Sequence, residues 1–257
     1  MPIFRFSDLP DNTRSMHEAQ RRWRHKNWRD SLKNHQNELE ESLTIIALFD
    51  FWKNLLPKDN ATKSLFKEIY ADAYMSIHLS CFGLYKNSYM SLRSEFETAM
   101  RLIYFSIHPF EFELWKSGDE KWRVDLLKGT DVWGQDFKYF VYIPKFVQLE
   151  NDLPEGLRLI KGNSPKLREA YSTLSKHVHS GGPFLQTRSR LSPKYNASEF
   201  LLWCEMFKSI QKYVNILLAT CFSDKFMTMP PQERDQILDL AIGADYINHI
   251  KKVCGLP

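Results

Sequence analysis

The sequence predicts an all-α fold, a single helical bundle over residues 61–257 preceded by a basic helical extension over residues 1–60. Three observations carry this. Apolar residues recur every three to four positions along most of the chain, the period that gives a helix one buried face. Only 10 of the 257 residues are glycine. Sheet-rich and phosphate-loop architectures need more, at turns and close backbone approaches. Hydrophobic residues make up 43% and aromatics 14%, enough for one sizeable core.

The elements follow in order. Met16 to Lys33 is charged and helix-compatible, with Trp23 and Trp28 among its basic residues. Glu38 to Leu56 reads as one amphipathic helix, because Leu39, Leu43, Ile46, Phe49 and Trp52 recur at helical spacing. Pro57-Lys-Asp-Asn ends it, and Asn60 or Thr62 is placed to cap the next helix. Leu65 to Leu84 is apolar and dotted with small residues, and a fourth helix runs from Asn87 to about Ile107. His108-Pro109 breaks it, with Pro109 opening a short helix, Phe110 to Lys116. Residues 117–164 are punctuated by proline and glycine. They read as loops with a helix over Asp136 to Val147, kinked or ended by Pro144, or alternatively a strand over Tyr139 to Tyr142. Ser164-Pro165 starts a helix that runs to about His177, stopped by Gly181-Gly182-Pro183. Residues 184–195 read as a basic loop. Glu199 to Phe222 is a long apolar helix at the centre of the bundle. Short helices over Gln232 to Ile242 and Asp245 to Val253 close the chain.

Several chemistries are disfavoured. GxxxxGK[ST], GxGxxG, HExxH and GxSxG are all absent, which argues against P-loop hydrolysis, dinucleotide redox chemistry, zincin proteolysis and α/β-hydrolase chemistry. Cys81, Cys204, Cys221 and Cys254 form no CxxC pair. They read as buried free thiols in a reducing cytosol rather than as a zinc site or a disulfide framework. The first residues lack the apolar core of a signal peptide. The longest uncharged stretches fall short of the roughly 20 apolar residues that span a bilayer. The expectation is a soluble cytoplasmic protein with no membrane contact.

Two segments hold the polar residues that core packing alone does not explain. In Ser91 to Arg101, the residues Arg93, Glu97 and Arg101 are four apart and stack on one helical stripe among apolar neighbours. Buried charges persist only when paired. The stripe is therefore either a structural ion-pair ladder or a site whose arginines hold an anionic group. In Tyr171 to Ser180, the residues Tyr171, Ser175 and His179 share one face, positioned to hydrogen-bond across to the Arg93–Glu97 helix. His177 lies about 200° away from His179 on a helix and is a candidate RNA contact. A histidine here can act as acid or base, or cap the helix end, where the dipole favours its charge. Residues 14–33 carry seven basic and two acidic side chains. Arg21, Arg22, Arg24 and Arg29, interleaved with tryptophan, suit phosphate contact and base stacking, or a solvated helix that packs its tryptophans on the bundle.

The patterns Leu92-Arg-Ser-Glu-Phe-Glu97 and Tyr171-Ser-Thr-Leu-Ser-Lys-His-Val-His-Ser180 resemble those of bacterial all-helical proteins associated with the HEPN superfamily and with abortive-infection-type defence. The matching residues are Arg93, Ser94, Glu97, Tyr171, Leu174, Ser175 and His179, within residues 65–182. The resemblance implies a HEPN-like bundle and a metal-independent, cofactor-free endoribonuclease, with sites that converge in a homodimer. HEPN ribonucleases use an Arg and a His a few residues further on, and two segments have that spacing, Arg29 to His35 and Arg101 to His108. In cleavage, a His would take the proton of a ribose 2′-hydroxyl and an Arg would stabilise charge on the phosphate. Arg101 with His108, or Arg93 with His179, are the candidate pairs. A different class of function is a non-catalytic interaction or sensor module that docks a protein partner in a defence system and uses the same stripe structurally.

Overall fold

The structure is a computed structural model that describes residues 11–56, 59–117, 143–178 and 194–256. Every regular element among the described residues is helical. In chain order these are α1 (Asp11–Asn34), α2 (Gln36–Ala47), α3 (Phe49–Leu55), α4 (Asn60–Cys81), α5 (Tyr85–Ile107), α6 (Pro109–Lys116) and α7 (Pro144–Asp152). A 3-10 turn at Glu155–Leu157 leads to α8 (Lys166–Val178). Then come α9 (Ala197–Cys221), α10 (Ser223–Thr228) and α11 (Pro231–Gln236), which passes into a π-helical turn at Ile237–Ile242, and finally α12 (Ala244–Cys254).

The core is set by heptad-like spacing. α9 buries Phe200, Trp203, Phe207, Ile210, Val214 and Leu217, and α5 buries Tyr85, Leu92, Phe96, Ala99 and Ile103. Large buried side chains of this kind each contribute about 1.5–3 kcal/mol. α4 and α5 form an antiparallel hairpin, and α5 packs in turn on α8 and α9. Polar side chains fix the registers. Trp203 Nε1 donates to Ser76 Oγ at 2.9 Å, and Ser76 is in turn bonded to Ser88. Trp52 Nε1 donates to Asn215 Oδ1 at 2.8 Å across the core.

α2 and α3 feed the same core through Leu39, Ile45, Ile46, Phe49 and Trp52. α1 lies outside it and packs on α2, α4 and α9. Asn27 ties it down from both sides. Its side-chain amide donates to the Phe82 carbonyl at 2.9 Å, and its oxygen accepts from Tyr195 N at 3.2 Å. Gly83, at φ +73°, makes this junction possible. A Cβ there would sit 3.0 Å from the Lys194 backbone in a conformation that L side chains resist.

The structure differs from the sequence expectations at three boundaries. The helix expected over Glu38 to Leu56 is two helices, broken at Leu48. Around Leu48 the backbone ladder tightens to three-residue steps, Leu48 N to Ile45 O at 3.2 Å and Phe51 N to Leu48 O at 3.1 Å, the 3-10 geometry that ends one helix and starts the next. The cap of α4 is Asp59 rather than Asn60 or Thr62, and its carboxylate accepts from Thr62 N at 2.8 Å. Pro144 opens α7, which runs on to Asp152, whereas the helix expected to be kinked or ended at Pro144 stops at about Val147; the missing N–H of Pro144 costs nothing at the first turn, and residues 136–142 of that expectation lie outside the described residues. The alternative strand over 139–142, the glycine stop at 181–183 and most of the basic loop at 184–195 lie outside the described residues.

Candidate functional site

The α5 stripe is an ion-pair ladder. Arg93 Nε donates to Glu97 Oε1 at 2.9 Å, and an Arg101 guanidinium N–H donates to Glu97 Oε2 at 3.2 Å. Each carboxylate oxygen therefore already serves one arginine. Tyr171 of α8 completes the cluster across the helix interface. The Arg93 guanidinium bonds its hydroxyl at 2.5 Å and lies 4.9 Å from its ring centroid. That hydroxyl donates to Glu97 Oε1 at 3.4 Å. Burial, followed by the charge of Glu97, holds the Tyr171 phenol above its usual value, so it works as a neutral donor. Ser175, one turn on, is partly buried on the same side of α8.

The stripe continues to the end of α5. His108 follows the last turn, stacked on Tyr104 with ring centroids 4.5 Å apart. Its Nδ1 lies 3.8 Å from a Glu111 oxygen, and the Tyr104 hydroxyl donates to the other Glu111 oxygen. Burial and that carboxylate push the Tyr104 phenol up. The His108 side chain is 37% exposed and that of Arg101 is 33% exposed, both more accessible than Arg93 and Glu97. They are two helical turns apart, about 10 Å along the axis. In the other Arg-to-His segment the two side chains part. His35 is buried and stacked on Phe200 at 4.8 Å, whereas Arg29 is exposed.

His177 is half-buried and stacked on core Tyr89 with centroids 3.8 Å apart, and burial lowers its pKa. A neutral ring packed this way is turned toward the bundle. His179 lies outside the described residues. The four cysteines are free. Burial raises the thiols of Cys81 and Cys204 to about 12 and that of Cys254 to about 11, and raises Cys221 as well, so none carries the thiolate that nucleophilic chemistry needs. Among the described residues no group of three His, Cys, Asp or Glu is placed to hold a metal ion. Nor is any helix among them long and apolar enough to cross a membrane.

A cleft of about 800 Å³ opens elsewhere, between α1 and α4. It is lined by Arg21, Arg24, His25 and Trp28 with Glu18, and by His78 and Phe82. The α1 members recur at three- and four-residue spacing, so one face of α1 delivers them all. Trp28 stacks on His78 with centroids 5.6 Å apart and planes 15° from parallel, and it sits 5.6 Å from Phe82. The cleft thus offers cationic groups above an aromatic floor. Arg22 lies outside the lining, 3.7 Å from Glu18 on the exposed surface, and Arg29, the residue after Trp28, is exposed and also outside it. Sequence reasoning reached the α1 arginines and Trp28 but not His25, His78 or Phe82, because no local pattern shows that α1 docks on the end of α4.

Compared with protein families, with curated proteins and with solved structures, the chain shows no match.

Proposed function

We propose that this chain binds RNA in the basic aromatic cleft between α1 and α4, as a HEPN-like defence-type protein that acts in the cytoplasm as a homodimer. The observation that carries the reading is the cleft's lining, Arg21, Arg24 and His25 above Trp28, His78 and Phe82. Arginines neutralise phosphates and release counterions, while aromatic faces take bases. The experiment is a fluorescence-anisotropy titration of labelled RNA at several salt concentrations. The Arg21→Ala/Arg24→Ala variant is expected to bind roughly tenfold or more weakly, with the slope of log affinity against log salt reduced by about two. An unchanged affinity and slope would remove the cleft from the reading.

A second reading adds metal-independent cleavage, and the accessibility of Arg101 and His108 at the end of α5 favours it. Glu97 and Tyr171 already saturate Arg93, so Arg93 holds α5 to α8, and the reacting groups are Arg101 for the phosphate and His108 for the 2′-hydroxyl proton. Incubation with tRNA in EDTA tests this. Cleavage that persists in EDTA and falls about 100-fold or more in His108→Ala is the expected result for a general base. RNA bound but never cut leaves the protein as a non-catalytic module that delivers RNA to a partner.

A further inference from the structure

The aromatic floor of the cleft continues along α4. We propose that the ligand is single-stranded RNA, its unpaired bases stacked on Tyr74 and Tyr70 and its backbone running to a second cavity between α3 and α4. This rests on RNA binding at the α1–α4 cleft and adds to it the form and the path of the strand.

α4 places Lys63, Lys67, Tyr70, Tyr74 and His78 on one stripe, at steps of four, three, four and four residues. Tyr70 and Tyr74 are 38% and 43% exposed, large rings left in water on a helix whose other face is core. Their planes are 7° from parallel with centroids 6.5 Å apart. Tyr74 meets His78 edge-on at 4.5 Å, and His78 stacks on Trp28. A row of rings therefore leads out of the first cleft. At its far end lies a cavity of about 530 Å³, floored by Phe49, Phe66 and Tyr70 and rimmed by Lys53, Lys63 and Lys67.

Cations stand at both ends and rings between them. From Lys63 to His78 the stripe is about 22 Å long, which suits a short run of nucleotides rather than a mononucleotide. The acid beside Lys53, Asp50, lies 3.9 Å from it on the exposed rim, and neither Lys63 nor Lys67 has a carboxylate within salt-bridge reach among the described residues. Stacking on side chains requires a free base face. A duplex hides its faces and is recognised through backbone and shape. The exposed tyrosines thus select the single strand.

The test is binding of a labelled oligouridylate of about ten nucleotides and of a blunt duplex of the same length. Single-stranded RNA is expected to bind about tenfold or more tightly than the duplex. Tyr70→Ala/Tyr74→Ala is expected to lose roughly 30-fold or more in affinity for the single strand with its salt slope unchanged. Tyr70→Phe/Tyr74→Phe keeps both rings and is expected to bind as wild type. Tyr74→Leu, which keeps apolar bulk without the ring, serves if the double variant does not fold, and it too is expected to weaken single-strand binding. Equal affinity for the duplex, or full affinity in the Ala and Leu variants while Arg21→Ala/Arg24→Ala still weakens binding, would overturn the strand path and leave the cleft standing. No RNA binding by the wild type, even at low salt, would overturn both.

Discussion

Replacing Glu150 by alanine is expected to destabilise the protein by about 3–5 kcal/mol, read as a shift in the urea midpoint at constant slope. Glu150 is fully buried near the end of α7. Its carboxylate accepts three backbone N–H groups, from Leu159 at 2.6 Å, Ile160 at 3.3 Å and Lys161 at 3.1 Å. Alanine orphans the buried Leu159 donor and strips the partly buried Ile160 and Lys161 donors of their protein partner, and each orphaned buried donor costs on the order of 1–3 kcal/mol. The loop it organises is bonded onward to α8, through Lys166 N to Arg158 O and Leu167 N to Leu159 O. Loss of Glu150 therefore loosens the helix that brings Tyr171 to Arg93. Glu150→Gln, which keeps one acceptor oxygen in place, is expected to lose less. Equal stability of Glu150→Ala and wild type would contradict the assignment of this carboxylate as the organiser of the loop.

Glu95→Gln is expected to act in the opposite direction, gaining stability relative to wild type as the pH increases. Glu95 faces inward on α5, between Arg93 and Glu97 in sequence but on the other side of the helix. It is fully buried, and Gln211 Nε2 donates to one of its oxygens at 2.7 Å. Burial, with a smaller push from the charge of Asp72, holds its carboxyl well above the usual value of 4.5, and the bond from Gln211 only partly opposes this. The other Glu95 oxygen and Gln211 Oε1 are buried without a donor, and a proton on Glu95 supplies the donor this pair lacks. The sign follows from linkage. A carboxyl whose folded pKa is raised binds more protons in the folded state than in the unfolded one. It stabilises the fold fully below about pH 4.5, and that stability is lost as pH rises toward the folded pKa. A neutral amide of the same shape has no such dependence. Urea midpoints of wild type and Glu95→Gln across pH 4–9 are expected to diverge with rising pH in favour of the variant. Parallel curves would show that Glu95 is ionised in the fold.

These two residues show what the sequence makes legible and what it hides. The helices are visible because burial imposes its period on the residues, as at Phe200, Trp203, Phe207 and Ile210. The break at Leu48 is invisible, since the period on either side continues across it. Arg93, Glu97 and Arg101 are legible as a stripe because their spacing is local. Tyr171 is positioned by the same argument, but its bond to Arg93 depends on how α8 lies on α5. Glu150 and Glu95 look like ordinary surface acids in the sequence; only their tertiary burial gives them a role. The row Tyr70, Tyr74, His78 is readable in the spacing of α4, yet the same spacing describes a buried helix face. The docking of α1 by Asn27 and Gly83 decides which face of α4 is covered, and that contact spans more than 50 positions in the chain.

The same docking separates two polar regions that the sequence presents as equal candidates. The α5 stripe spends Arg93 on Glu97 and Tyr171, whereas the α1 face keeps Arg21 and Arg24 over an aromatic floor. The measurement that tests this most directly is ultraviolet cross-linking of the protein to single-stranded RNA, with the linked residues mapped by mass spectrometry. Cross-links on Trp28, Tyr70 and Tyr74 are the predicted result. Cross-links confined to residues 101–111 would place the RNA on the end of α5 and contradict the account.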